Sequence, residues 1–149
     1  MMCCDCQRQF LALGEWQIRC RSCYHAWKAG PQTVALRRAI EDMRDGGVFA
    51  MFIPKAPYRC PPGPYERASV IASYFKQAKP KSKVLVLDAN ADVTSKGPLF
   101  KKVWAEQYAG MVEYRGQHNA TAVDARTNTV KFDVQDDVKA DVLNVLPAM

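Results

Sequence analysis

Two unbroken apolar runs constrain this chain more than any other feature. Val48-Phe49-Ala50-Met51-Phe52-Ile53 ends at Pro54, and Val84-Leu85-Val86-Leu87 ends in the acid Asp88. Neither run alternates, so neither suits a strand with one wet face. Continuous apolar strands belong to parallel sheets covered on both sides. Parallel neighbours need a crossover connection. The intervening sequence supplies one, with Pro64 fit for the first turn of a helix extending to about Lys79 and Ala68, Ile71, Ala72 and Phe75 along its inner face. Strand, helix and strand make a βαβ unit, expected to be right-handed.

The flanking sequence extends this pattern. Pro31 to Met43 carries Val34, Leu36, Ile40 and Met43 among charges and reads as an amphipathic helix closed by Asp45-Gly46-Gly47. Leu99 to Tyr108 reads as helix and Met111 to Tyr114 as strand. Ala120 to Asp124 and Thr129 to Val134 form an expected hairpin around Arg126-Thr127-Asn128, and Ala140 to Pro147 a last strand. The expected fold class is α/β: an incomplete Rossmann-like (NAD-like) domain with a parallel sheet, a crossover helix and an appended β hairpin. The chain stops just as its last strand delivers a loop to the sheet's carboxyl edge, so the sequence predicts a partial domain.

At 149 residues and 48% hydrophobic, the chain is long and apolar enough for one domain with a core, and no apolar run reaches transmembrane length. The formal charge of +6 raises the question of nucleic acid. Its distribution argues against that, since the basic residues lie among acids. The one local cluster, Lys76, Lys79, Lys81 and Lys83, reads as a solvated helix end.

The chemistry concentrates in the turn after the first strand. A dinucleotide-binding turn needs glycines so that backbone can approach the pyrophosphate. Here the turn reads Ala56-Pro57-Tyr58-Arg59-Cys60-Pro61-Pro62-Gly63-Pro64-Tyr65-Glu66, and its prolines remove N–H donors. Asp88 stands where a ribose-binding acid is expected, but without the glycines NAD is not the expected ligand. The turn offers instead Cys60 ahead of a helix N-terminus, with Arg59 beside it, both of which favour thiolate. Glu66, about one turn into the helix, is placed to exchange protons with a sulfur species. A structural cysteine in a rigid loop, with a first-turn acid favoured by the helix dipole, is the plainer alternative from these residues alone.

The string Tyr58-Arg59-Cys60-Pro61-Pro62-Gly63-Pro64-Tyr65-Glu66-Arg67-Ala68 resembles the hallmark loop of the flavoprotein chains of flavocytochrome c sulfide dehydrogenase. His25 to Thr33, Ser82 to Asp88 and Lys139 to Pro147 match further stretches in the same order. The resemblance implies a glutathione-reductase-like fold, similarity to sulfide:quinone oxidoreductases, and a periplasmic setting with a c-type cytochrome subunit. It implies that sulfide attacks a redox disulfide beside FAD and that electrons pass on to haem. On this resemblance Cys60 is one half of that disulfide, Glu66 the base near it, and Pro57 with Cys60 part of the flavin-proximal loop. The family's second redox cysteine is expected beyond Met149, and no glycine-rich FAD fingerprint precedes His25. The chain is therefore expected to be a fragment that retains no FAD and turns over no sulfide alone, and to be cytoplasmic if made without a signal peptide.

Residues 1–24 form a separate cysteine-rich leader. Cys3-x-x-Cys6 and Cys20-x-x-Cys23 stand 13 residues apart, a zinc-ribbon spacing that places four thiolates around one tetrahedral ion, with His25 able to replace one. A small zinc-bearing binding module without catalysis is the alternative function. A non-native leader is the alternative reading of these residues.

Overall fold

The structure is a computed structural model and describes residues 31–146. The chain divides into two compact units parted after Asp42. In the first, helix α1 spans Pro31–Asp42, with Arg37 Nε donating to Glu41 Oε1 at 2.7 Å one turn on.

The second unit is built on four parallel strands. Strand β1 (Val48–Ile53) leads through the proline-rich turn to α2 (Gly63–Ala78) and then β2 (Lys83–Asp88). Helix α3 (Gly97–Gln107) follows, then β3 (Val112–Arg115). Three short strands come next, β4 (Ala120–Asp124), β5 (Thr129–Phe132) and β6 (Val138–Lys139), before β7 (Val142–Val145). The main sheet runs β3-β2-β1-β7, with every pair parallel. The fold is thus α/β with a parallel sheet and crossover helix.

The apolar runs become strands because both faces are covered. Phe49, Ala50, Met51, Ile53, Val84, Val86 and Leu87 have no exposed surface. Helix α2 buries Ala68, Ile71, Ala72 and Phe75, the face expected from spacing, and also Tyr65. Burying Phe75 alone contributes about 1.5–3 kcal/mol, and truncation to alanine would cost about 3–5 kcal/mol. Tyr65, Phe100 and Trp104 pack with ring centroids 5.6 to 6.3 Å apart, and Trp104 stacks on Tyr114 at 6.1 Å, joining α2, α3 and β3.

One detail extends the sequence reading and another corrects it. The hairpin of β4 and β5 is a three-stranded antiparallel sheet, because Val138 and Lys139 pair with Val130 and Thr129. Lys79 does not belong to a solvated face. It is buried, and its ammonium donates to the Met43 carbonyl, so the charge sits on an acceptor the preceding segment supplies.

Candidate active site

Helix α2 carries the chain from β1 to β2 on one side, whereas β7 returns to β1 on the other. Ligands of open α/β sheets bind outside the carboxyl ends of strands where neighbouring connections diverge. The segment from Pro54 to Pro62 leaves β1 at that point. The end of β7 runs beside it, with Leu146 N–H donating to Phe52 O at 3.0 Å. Arg67 of α2 reaches the same edge, its Nη1 donating to Asn144 Oδ1 at 2.8 Å.

An acid that sequence alone could not interpret organises this edge. Asp88 is fully buried. Its Oδ2 accepts from the Tyr65 hydroxyl at 2.8 Å and the Tyr114 hydroxyl at 3.0 Å. Its Oδ1 accepts from Asn90 N–H at 2.9 Å and Asn90 Nδ2 at 2.7 Å. Four donors satisfy a buried carboxylate that would otherwise be costly. Asp88 therefore does not wait for a ribose; it is turned inward and occupied. Burial, with help from Asp88, pushes the phenols of Tyr65 and Tyr114 well above the usual tyrosine range.

From Asp88 the network reaches the turn twice. Asn90 Nδ2 donates to Pro54 O at 3.1 Å while its Oδ1 accepts from Ala56 N–H at 2.9 Å, fixing the backbone on each side of Lys55. The Tyr65 hydroxyl accepts from Thr94 N–H at 3.1 Å and lies 3.1 Å from the Tyr58 hydroxyl. Tyr58 also meets Thr94 Oγ1 at 2.6 Å and Pro61 O at 3.4 Å. Gly116 lets the loops after β2 and β3 approach, since a Cβ there would stand 2.7 Å from Ala91 O.

On this frame sit the residues singled out from sequence. Pro57 is exposed and follows a cis bond from Ala56. Cys60 is an exposed free thiol in the left-handed region, φ 57°, with its carbonyl accepting from Gly63 N–H at 2.9 Å. Its Sγ lies against Gly63, only 3.1 Å from where a Cβ would stand. Glu66 is exposed in the first turn of α2. Cys60 thus stands just ahead of α2 and Glu66 in its first turn, while Pro57 lies further back in the turn. An accessible thiol with a carboxylate on the same helix end can exchange sulfur and pass the proton.

Sequence reasoning missed Tyr58, Tyr65, Asn90, Thr94 and Tyr114. The one available signal was an acid closing a buried strand, whose tyrosine partners lie 23 and 26 residues away along the chain.

Among the described residues, no group of three or more His, Cys, Asp or Glu side chains could hold a metal, and no helix is long and apolar enough to cross a membrane. Cys3, Cys6, Cys20, Cys23 and His25 lie outside the described residues.

Comparison with known proteins agrees with this architecture. Residues 33–147 match the family model for the central region of the sulfide dehydrogenase (flavocytochrome c) flavoprotein chain. Among solved structures, reduced Bacillus anthracis CoADR-RHD is similar at a TM-score of 0.53 and 11% identity, over 81% of this chain and 20% of that one. That likeness is one of fold. The chain spans about a fifth of the length of this structural relative.

Proposed function

Since the chain belongs to the family of flavocytochrome c sulfide dehydrogenase flavoprotein chains, we propose that it is the part of a sulfide-oxidising flavoprotein that presents a sulfur-handling cysteine, Cys60, with Glu66 as its base. The observation that supports this reading is an exposed Cys60 thiol just ahead of α2 with an exposed Glu66 in that helix's first turn.

In the whole flavoprotein the proposed substrate is sulfide, the cofactor FAD, the acceptor a c-type cytochrome and the compartment the periplasm. The Cys60 turn, with Pro57 near its start, is the part that would face the flavin. The described residues do not fit the dinucleotide portion of FAD. The turn after β1 is built of prolines, and the space beside its Gly63 is taken by Cys60 Sγ. The chemistry assigned to this chain is accordingly its thiol chemistry. The Cys60 thiol gives its proton to Glu66, and the thiolate attacks an outer sulfur of a polysulfide. The S–S bond breaks, leaving a Cys60 persulfide and a polysulfide one sulfur shorter that keeps the electron pair. Among the described residues Cys60 is the sole cysteine, so a dithiol cycle has no second member there.

The test is mass spectrometry of the Cys60 peptide after the purified chain meets inorganic polysulfide. The expected result is a gain of one sulfur, slowed about 100-fold in Glu66→Gln. A Cys60 that stays unmodified while glutathione reacts under the same conditions refutes the reading.

A further inference from the structure

We propose that Tyr58, tied to Thr94 and Tyr65, is a positioning residue that holds Cys60 in its reactive geometry. The inference rests on the reading of Cys60 as the sulfur-handling thiol, and begins from backbone strain. Cys60 has φ 57°, a left-handed conformation that an L residue other than glycine keeps only where its surroundings hold it there. The local hydrogen bond from Gly63 N–H closes the turn but does not anchor it to the sheet.

Tyr58 supplies the anchor. It lies two residues ahead of Cys60, is buried, and carries its hydroxyl to Pro61 O just behind Cys60. Directions in the cluster follow from its ends. The Tyr65 hydroxyl spends its proton on Asp88, which no longer has room to donate, and accepts the Thr94 N–H. Tyr58 and Thr94 therefore hold the two mobile hydroxyl protons, shared over contacts of 2.6, 3.1 and 3.2 Å. A chain of hydroxyls thus runs from the fully buried carboxylate to the carbonyl following Cys60. At its far end Sγ rests against Gly63, which has only hydrogen to offer there. Neither Tyr58 nor Thr94 touches the thiol; each acts through the turn.

The experiment compares the wild-type chain with Tyr58→Phe, Thr94→Val and Thr94→Ser, reading amide hydrogen exchange at Gly63 and the rate of polysulfide transfer to Cys60. In Tyr58→Phe and Thr94→Val, exchange at Gly63 is expected to quicken about tenfold, the loss of one buried hydrogen-bond partner. Amides of Met51 and Val86 in the sheet keep their protection. Sulfur transfer falls about tenfold or more as the turn that carries the thiol loosens. Thr94→Ser keeps the hydroxyl and restores both rates. Unchanged exchange at Gly63, or equal acceleration at Met51 and Val86, overturns the proposal; so does a Thr94→Ser chain that behaves as Thr94→Val. A wild-type chain that takes no sulfur refutes the sulfur-handling reading instead, and the exchange results still decide the positioning role.

Discussion

Replacing Asp88 with asparagine tests whether a single buried carboxylate organises the edge that carries the site. The carboxylate accepts four hydrogen bonds, two on each oxygen, at 2.7 to 3.0 Å. Asparagine keeps one oxygen and puts an amide N–H2 in place of the other. Whichever way it turns, two donors lose their acceptor and face a third donor. Hydrogen bonds to charged groups contribute about 1.5–3 kcal/mol each, so the gross loss is about 3–6 kcal/mol. A neutral amide is cheaper to bury than a carboxylate, which offsets part of this. The net expected loss is about 2–4 kcal/mol, a large share of the roughly 5–15 kcal/mol that holds a domain folded. Equilibrium urea unfolding followed by circular dichroism reads it as a lower midpoint with unchanged slope. A change within about 0.5 kcal/mol, the size of an ordinary surface substitution, would refute the assignment of Asp88 as the anchor.

Three further outcomes are expected. Tyr65 and Tyr114 are held neutral beyond the ordinary range, so their folded state binds protons that the unfolded chain releases above about pH 10; stability should fall as pH rises past that value, and tyrosinate absorbance should appear with unfolding rather than before it. Gly116→Ala should cost about 1–3 kcal/mol in urea unfolding, because its Cβ would meet Ala91 O at 2.7 Å and backbone must move; an unchanged midpoint would show that the two loops are not in tight contact. If Cys3, Cys6, Cys20 and Cys23 form the proposed zinc ribbon, the chain carries one zinc per molecule by elemental analysis, and Cys20→Ser removes it; metal-free protein purified under reducing conditions would dismiss that site.

The βαβ frame was legible because its signals are local. Unbroken apolar runs gave β1 and β2, and the spacing of Ala68, Ile71, Ala72 and Phe75 gave the inner face of α2. Strand β6 was not legible, since two residues carry no period and Val138 pairs only because β5 is already there. Lys79 misled because a lysine among lysines reads as wet, and the carbonyl that receives it lies 36 residues away. The same distance effect hid the frame of the site. Tyr65 meets Asp88 across 23 residues and Tyr58 meets Thr94 across 36, so no window along the chain contains both partners. Cys60 and Glu66 stood out because the turn is dense in proline and holds a thiol, whereas the tyrosines beside them read as ordinary core candidates.

The parallel pairing of β7 with β1 has a consequence for how the molecule forms. Strand β1 meets one neighbour after a short excursion, Gly46 N–H reaching Ser82 Oγ across 36 residues, and the other only after a long one, Val48 N–H reaching Asp141 Oδ2 across 93. Closing the longer loop costs only about 0.8 kcal/mol more in chain entropy, so the return is thermodynamically cheap. It is slow by comparison, because ordering so distant a pair waits on everything between. The β1–β7 side of the sheet is consequently the one whose closure joins the most distant parts of the chain, 93 residues apart against 36 on the β2 side.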